Sequence, residues 1–377
     1  MDPTPEVKPV PLFEIATQWQ TIRNDVEAAV KEVFETQQFT SGATSGPFVG
    51  RFEENLGKTV HAHVVALSSG TDAILAALMA LGIGNGAEVI TTPFTFFATA
   101  GCIVRAGAKP VFADIEPDTF LLNVKAAEAA VTQRTRAIVP VHLYGQMLDT
   151  ALLSRAAARH DLEVIEDAAQ CIGARDPYGK QIAENASCAC LSFYPTKNLG
   201  AAGDAGALVT RDAKLAERFK QTRQHGETSR YHHEFVGGNF RMDALQAAVL
   251  NVKLRWLDQW NNRRRAIAAY YTQRFKGTDI KPPVEMPGVH HVYHQYVVRA
   301  PRRDALRDHL QAAGVGCNIY YPKSLHMQAC FADLGYKKGA FPVAEKACEE
   351  VLALPIFPEL TDVQIQRVAD TALAFYR

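Results

Sequence analysis

Lys197 and Asp167 are the two residues whose types and settings could do chemistry together. Lys197 lies in Ser192-Phe193-Tyr194-Pro195-Thr196-Lys197-Asn198-Leu199-Gly200, and Asp167 in Glu166-Asp167-Ala168-Ala169-Gln170. Each segment follows or contains a short apolar run. A lysine amine condenses with an aldehyde to a Schiff base, and a carboxylate beside a pyridine nitrogen keeps that ring protonated. A protonated ring withdraws electrons and can delocalise a carbanion. Together the two side chains are what a pyridoxal phosphate (PLP) pocket needs. A buried lysine also loses part of its preference for the charged form, which suits a nucleophile that later serves as a base.

Other segments could complete such a pocket. Ser68-Ser69-Gly70-Thr71-Asp72 falls between an apolar run and a helical pattern. A small-residue turn at a helix N-terminus offers free N–H groups to a phosphate, which marks Gly70 and Thr71. The same residues also suit an ordinary N-cap by Ser69 or Thr71. The Ser192 hydroxyl could join that phosphate. Gln170 would share a helical face with Asp167 if a helix starts there, and its amide could then reach a ring hydroxyl oxygen. Asp167 before Ala-Ala equally suits a helix cap. Gly200–Gly206 is built of small residues that let backbone approach a ligand. In Thr92-Pro93-Phe94-Thr95-Phe96-Phe97 one aromatic could stack on a planar ring, while at least two of Phe94, Phe96 and Phe97 belong to the core.

The elements that must position these residues alternate. Strands are predicted at Val64–Leu67, Glu88–Thr91, Pro110–Phe112, Ala137–Val141, Glu163–Glu166, Ser187–Phe193 and Gly206–Val209. Helices are predicted at Thr71–Leu81 and Phe96–Ala106, with further helices before the fourth and fifth strands. Such alternation describes an α/β domain, its mostly parallel sheet sandwiched by helices. Asp167 then lies at the C-terminal end of a strand, where open α/β sheets bind ligands. Leu245–Trp260 reads as one long amphipathic helix, and the run Arg263-Arg264-Arg265 after it as a solvated helix face. Strands at Tyr293–Arg299 and Gly316–Tyr320 and helices at Arg303–Ala313 and Asp362–Tyr376 describe a smaller α+β domain. We place the large domain at residues 1–255 and the small one at 256–377.

Composition narrows the function classes. The chain has 377 residues, enough for two domains, and is 47% apolar. Lys+Arg and Asp+Glu are 40 each, so no overall field draws it to nucleic acid or an anionic membrane. The acidic, Pro-rich start, Met1-Asp2-Pro3-Thr4-Pro5-Glu6, is unlike a signal peptide. No apolar stretch reaches the roughly 18 residues of a membrane span. Seven scattered cysteines fit reduced thiols in a cytoplasmic protein. Cys188 and Cys190, two apart on a strand, read as core packing. His290, His291 and His294 lack an accompanying carboxylate motif, so no metal site is expected.

Taken together these segments resemble the DegT/DnrJ/EryC1/StrS family of sugar aminotransferases, within fold type I of the PLP enzymes. The likeness is carried by Ser-Ser-Gly-Thr-Asp-Ala (68–73), Pro-Phe-Thr-Phe-Phe-Ala-Thr (93–99), Pro-Val-His-Leu-Tyr-Gly-Gln (140–146), Glu-Asp-Ala-Ala-Gln (166–170), the Lys197 segment (192–200), Gly-Gly-Asn-Phe-Arg-Met (237–242) and Tyr-Tyr-Pro-Lys-Ser-Leu-His (320–326). It covers nearly the whole chain. The resemblance implies that Lys197 carries the Schiff base and Asp167 pairs with the ring nitrogen. It implies that Gln170 contacts the ring oxygen, Phe96 stacks on the ring, and Gly70, Thr71 and Ser192 hold the phosphate. Asn239 resembles the asparagine that reaches the cofactor of the neighbouring subunit, which implies a homodimer with shared active sites. Tyr321 and His326 fall in a segment that resembles a substrate-facing loop. The implied substrates are a nucleotide-linked keto sugar and L-glutamate, which leaves as 2-oxoglutarate. UDP- and dTDP-linked sugars and 3-keto and 4-keto positions all stay open. A few relatives carry histidine in place of the lysine and dehydrate the sugar. Lysine here favours transamination over such a PLP-dependent sugar dehydratase, and the complete residue set favours it over a non-catalytic PLP-binding regulator.

Overall fold

The computed structural model describes residues 8–40 and 45–377, so the acidic start lies outside the described residues. Two helices come first, α1 (Ala16–Thr36) and α2 (Gly46–Val60). Strands and helices then alternate through β1 (His63–Leu67), α3 (Gly70–Ala80), β2 (Glu88–Thr91), α4 (Phe97–Arg105), β3 (Lys109–Phe112), α5 (Val124–Ala129), β4 (Thr135–Val139), α6 (Thr150–Ala158), β5 (Glu163–Asp167), β6 (Cys188–Ser192), β7 (Gly206–Thr210) and α7 (Ala213–Arg223). The seven strands form one sheet in the order β1-β7-β6-β5-β4-β2-β3. Pairing is parallel from β3 to β6, and β7 runs antiparallel to both β6 and β1. Strand residues of β2 and β7 are all buried, as expected of a sheet covered on both faces. Cys188 and Cys190 are both buried beneath α3, together with Ile165 and Leu208.

A short hairpin of β8 (Glu227–Ser229) and β9 (His232–His233) leads to α8 (Ala244–Leu254) and α9 (Leu257–Phe275). The single helix expected over Leu245–Trp260 is therefore two, broken at Arg255-Trp256. Both sides of the break are apolar: α8 packs on α1 and α2, while α9 buries Ile267, Tyr271 and Phe275 in the C-terminal core. Nor is the arginine run a solvated face. Arg263 pairs with Asp362 and Arg265 with Glu285, but Arg264 is buried.

The C-terminal part holds β10 (Tyr296–Arg299), α10 (Arg303–Ala312), α11 (Pro342–Glu350), β11 (Val351–Leu354) and α12 (Asp362–Ala374), with β10 and β11 antiparallel. The expected strand Gly316–Tyr320 is absent. Only Asn318 bridges, to Ala353, and Gly316 instead donates to the Val10 carbonyl. Val10 also pairs with Val315 and joins the C-terminal core, so residues near the chain start pack with the second unit. No helix among the described residues is long and apolar enough to cross a membrane.

Candidate active site

A cavity of about 630 Å³ opens where the C-terminal ends of the sheet strands meet the C-terminal part. Its lining includes Gly70, Thr71, Phe96, Asp167, Gln170 and Ser192, together with Lys197 and Tyr321. Segments far apart in the chain thus meet because parallel strands deliver their ends to one edge.

Asp167 is the last residue of β5. Its carboxylate accepts from Thr99 Oγ1 at 2.8 Å and from the Ala169 N–H at 3.2 Å. Burial pushes this carboxyl above its ordinary value, while those two donors, Lys197 and His142 pull the other way. A cation set against Asp167 would remove the mismatch, because an opposite charge favours the ionised form. Lys197 is half-buried, and desolvation of its amine pushes it down to about 8 despite the neighbouring Asp167. Its loop is closed by Lys197 N–H donating to the Tyr194 carbonyl and by Gly200 pressed on Pro195. A Cβ on Gly200 would lie 2.3 Å from the Pro195 oxygen, so only glycine fits this turn.

The phosphate seat expected at the start of α3 has the required shape. Ser69 is the N-cap, its hydroxyl accepting from Asp72 N–H at 3.0 Å. Capping and an anion seat coexist, because other first-turn N–H groups stay free. A Cβ on Gly70 would come 2.6 Å from Ser192 Cβ, so the two segments approach as closely as backbone allows. Gln170 reaches the cavity without the expected helix: residues 168–172 form turns. Its Oε1 accepts from Tyr144 N–H at 2.6 Å, which leaves Nε2 to donate, weakly, to Tyr321 Oη at 3.4 Å.

Of the three phenylalanines only Phe94 is buried in the core. Phe96 is 58% exposed on the cavity wall, and Phe97 stacks on Phe331 at 5.6 Å, still half exposed. The assignment of at least two to the core is corrected: α4 starts at Phe97, and its first turn points Thr99 and Ala100 inward, which leaves Phe96 and Phe97 on the outer side. Tyr321 is half-buried at the cavity, edge-on to Phe94. His326 is not brought there. It is buried against Phe341, and Nε2 lies 3.1 Å from Glu345 Oε1, which ties down the start of α11. Asn239 is exposed, outside this cavity, its backbone bridged to Gln224.

Sequence reading missed Thr99, His294, Asn198 and Arg264. Thr99 had a visible signal, since it stands one helical turn after Phe96. His294 lines the cavity, and its Nδ1 lies 3.2 Å from Asn198 Oδ1. Asn198 spends both amide hydrogens on Asn261 Oδ1 and the Val292 carbonyl, so its oxygen accepts and His294 carries its proton on Nδ1. Burial, then Lys197 and Arg264, keep that imidazole neutral. His291 is a packing residue, stacked on Tyr293 at 3.8 Å. No cluster of three or more His, Cys, Asp or Glu suited to a metal occurs among the described residues.

The Lys197 amine, a buried carboxylate and a helix N-terminus converge on one cavity, and a profile of the DegT/DnrJ/EryC1/StrS aminotransferase family matches residues 20–372. The chain belongs to this family. Its aminotransferases are PLP enzymes, and the residues described above fit that group. The chain is 46% identical to the pleiotropic regulatory protein of Geobacillus stearothermophilus over 98% of this chain and 99% of that one. It is 39% identical to the UDP-N-acetyl-3-dehydro-alpha-D-glucosamine 3-aminotransferase of Acidithiobacillus ferrooxidans, over 96% of each. Among solved structures it superposes on S. venezuelae DesV in complex with a ketimine intermediate with a TM-score of 0.94. That pair is 39% identical, over 98% of this chain and 99% of the other. Fold and reaction class, α/β fold type I and transamination, are those of the family.

Proposed function

We propose that this transaminase moves an amino group from L-glutamate to a nucleotide-linked 3-keto hexose. The observation that carries the reaction is that Lys197 and the buried Asp167 line one cavity, with the lysine amine pushed down to about 8 by desolvation. The A. ferrooxidans relative, named for a UDP-linked 3-dehydro sugar, supports the acceptor class and the C3 position.

When bound, PLP supplies an aldehyde for the lysine and a protonated ring that withdraws electrons from the carbon losing its proton. Asp167 would hold the ring N–H, itself oriented by Thr99 and Ala169. Gly70, Thr71 and Ser192 would seat the phosphate, Gln170 Nε2 the ring oxygen, and Phe96 the ring face. Lys197, once free, takes the α-proton from glutamate, whose nitrogen stays behind as 2-oxoglutarate leaves. In the second half it returns a proton to the sugar C3, which leaves as the amine. An amine near 8 suits both directions, since a base works best close to the operating pH. Asn239 lies outside its own chain's cavity, and exposed Phe34, Phe39 and Tyr194 stand ready for a contact. Both support a homodimer in which Asn239 serves the partner's site. Residues 1–255 would hold the cofactor and 256–377 most of the remaining wall.

The test is spectroscopic. Purified protein with PLP should change its near-visible absorbance on addition of L-glutamate, and recover it with a UDP- or dTDP-linked 3-keto sugar. Lys197→Ala should lose both the band and turnover. A second reading, regulation, is favoured by the name of the G. stearothermophilus relative. Protein that binds PLP yet shows no change with glutamate or any amino sugar in a reverse panel with 2-oxoglutarate would carry that reading instead.

A further inference from the structure

A relay of side-chain amides behind Lys197 ends on one ring nitrogen and dictates its state. Asn261 Nδ2 donates to the Ile172 carbonyl at 3.1 Å, so its Oδ1 is left to accept. Asn198 Nδ2 donates to that Oδ1 at 2.7 Å and to the Val292 carbonyl at 3.0 Å. Carbonyls only accept, so neither amide can be turned over without losing a bond. Asn198 Oδ1 therefore accepts in turn, and His294 Nδ1, 3.2 Å away, must carry the ring proton. The other nitrogen, Nε2, is left as a bare lone pair.

His294 lines the cavity, and Nε2 has no partner among the described residues. Unlike His142 Nε2 it is not an enclosed atom, so the lone pair keeps surface on the wall that His294 forms. The backbone holds the ring in place. The His294 carbonyl accepts from Arg264 Nη1 at 3.3 Å, and a Cβ on Gly145, whose φ is 106°, would lie 2.9 Å from His294 N. Burial, then the charges of Lys197 and Arg264, keep the imidazole neutral, so it offers an acceptor and no second donor. A polar atom partly removed from water without a partner is costly, and a donor brought by a ligand offsets that cost.

The position of the lone pair restricts that donor. His294 feels the charge of Lys197 and is bonded to the next residue, Asn198, so Nε2 lies near the amine that must reach the reacting carbon. Glutamate has nothing to donate there. Its nitrogen is the one transferred, and a carboxylate and a methylene flank its α-carbon. A carboxylate presents only lone pairs and is repelled by another. A keto sugar carries hydroxyl or acylamino groups on the carbons beside its carbonyl, and each has a proton to give.

We propose that His294 Nε2 accepts a hydrogen bond from a hydroxyl or amide N–H on a carbon flanking the reacting carbon of the acceptor sugar. The proposal rests on the keto-sugar reading of the site and adds to it a residue that tells acceptor from donor. It also requires a proton-bearing group next to the ketone.

His294→Asn isolates the lone pair. Its amide can donate to Asn198 Oδ1 from near the place of Nδ1, but nothing stands in the place of Nε2. On PLP-loaded protein the two half-reactions run separately. In the variant, kcat/KM for the amino-sugar half-reaction should fall roughly tenfold, with the glutamate half-reaction within about threefold. Nucleotide-linked 3-amino sugars lacking the donor group at C2 or at C4 probe the other partner. With the wild type one of them should react roughly tenfold more slowly than the complete sugar, and with the variant no more slowly. Equal losses in both half-reactions overturn the proposal, since a ring that only braces Asn198 and the Lys197 loop would damage both. No loss in either does the same. So does a wild type indifferent to both groups, a measurement that decides even where His294→Asn fails to fold. Wild-type protein that reacts with glutamate but with no amino sugar overturns the keto-sugar reading, and the proposal with it.

Discussion

Thr99 Oγ1 donates to Asp167 Oδ2 at 2.8 Å, joining the first turn of α4 to the end of β5. Thr99 is itself fully buried, and its hydroxyl also lies 3.1 Å from that of Thr95. This chain of hydroxyls fixes the carboxylate at the centre of the cavity. Thr99→Val keeps the shape and removes the donor. A hydrogen bond to a charged group contributes about 1.5–3 kcal/mol. Asp167, already pushed up by burial, should rise further without it. Since the ionised carboxylate is the working form, the acid limb of the glutamate half-reaction should move to higher pH, with roughly a tenfold loss below neutrality. Single-turnover rates across pH check this. An unmoved acid limb would remove Thr99 from the site.

Gly70 packs on Ser192 so closely that Gly70→Ala must push β6 and the start of α3 apart. Overpacking of this kind costs about 1–3 kcal/mol. The displaced atoms include the proposed phosphate donors, so PLP affinity should fall by roughly tenfold, beyond any loss of thermal stability. Equilibrium dialysis with PLP, beside a melting curve of the cofactor-free protein, measures both. Lower stability with unchanged affinity would place the phosphate elsewhere.

The parts of this site that are legible in the sequence are local. Asp167, Ser192, Gly70 and Thr71 each stand at a strand end or first helical turn, where an apolar run and its small-residue neighbours announce the position. The sheet follows from the same alternation. Gln170 is found for a partly wrong reason, since a turn rather than a helix carries it and the Tyr144 N–H orients it. Arg264 and His294 are not legible, because their settings come from partners remote in sequence, Ile356 and Asn198. In the sequence Arg264 has the same appearance as Arg263 and Arg265, and only the turn of α9 against the C-terminal part separates them. His326 shows the converse: its motif is conspicuous, but Glu345 and Phe341 draw it away from the cavity.

A shared dimer site makes a prediction that one chain alone does not. Asn239→Ala and Lys197→Ala should each be inactive or nearly so. Mixed in equal amounts and refolded or co-expressed, half of the dimers pair one variant with the other. In those, one of the two sites combines both defects and the other has none. About a quarter of wild-type activity should therefore return, as two-fold symmetry requires. Subunit-mixing assays measure this. No recovery, with mixed dimers demonstrated by tagged pull-down, would return Asn239 to an ordinary surface loop.

Lys197 should cost the cofactor-free protein stability, and pH should show it. Its amine is held at about 8 in the folded chain against 10.5 ordinarily, chiefly by burial. Below pH 8 the lysine is protonated in both states, and folding carries the whole penalty of a buried charge, roughly 3 kcal/mol. Between 8 and 10.5 the folded chain has released a proton that the unfolded chain retains. Stability therefore rises with pH across that window, and above it the penalty is gone. Lys197→Met replaces the amine with an apolar chain of similar length. It should melt higher than the wild type at pH 7, with the difference shrinking as pH climbs from 8 toward 10.5. Lys253, lowered in the same way, is present in both proteins and cancels. Calorimetry of the two cofactor-free proteins at pH 7 and pH 10 measures the gap. A gap that is absent at pH 7, or constant with pH, would mean that the Lys197 amine is solvated in the free enzyme and is not the strained, ready nucleophile described here.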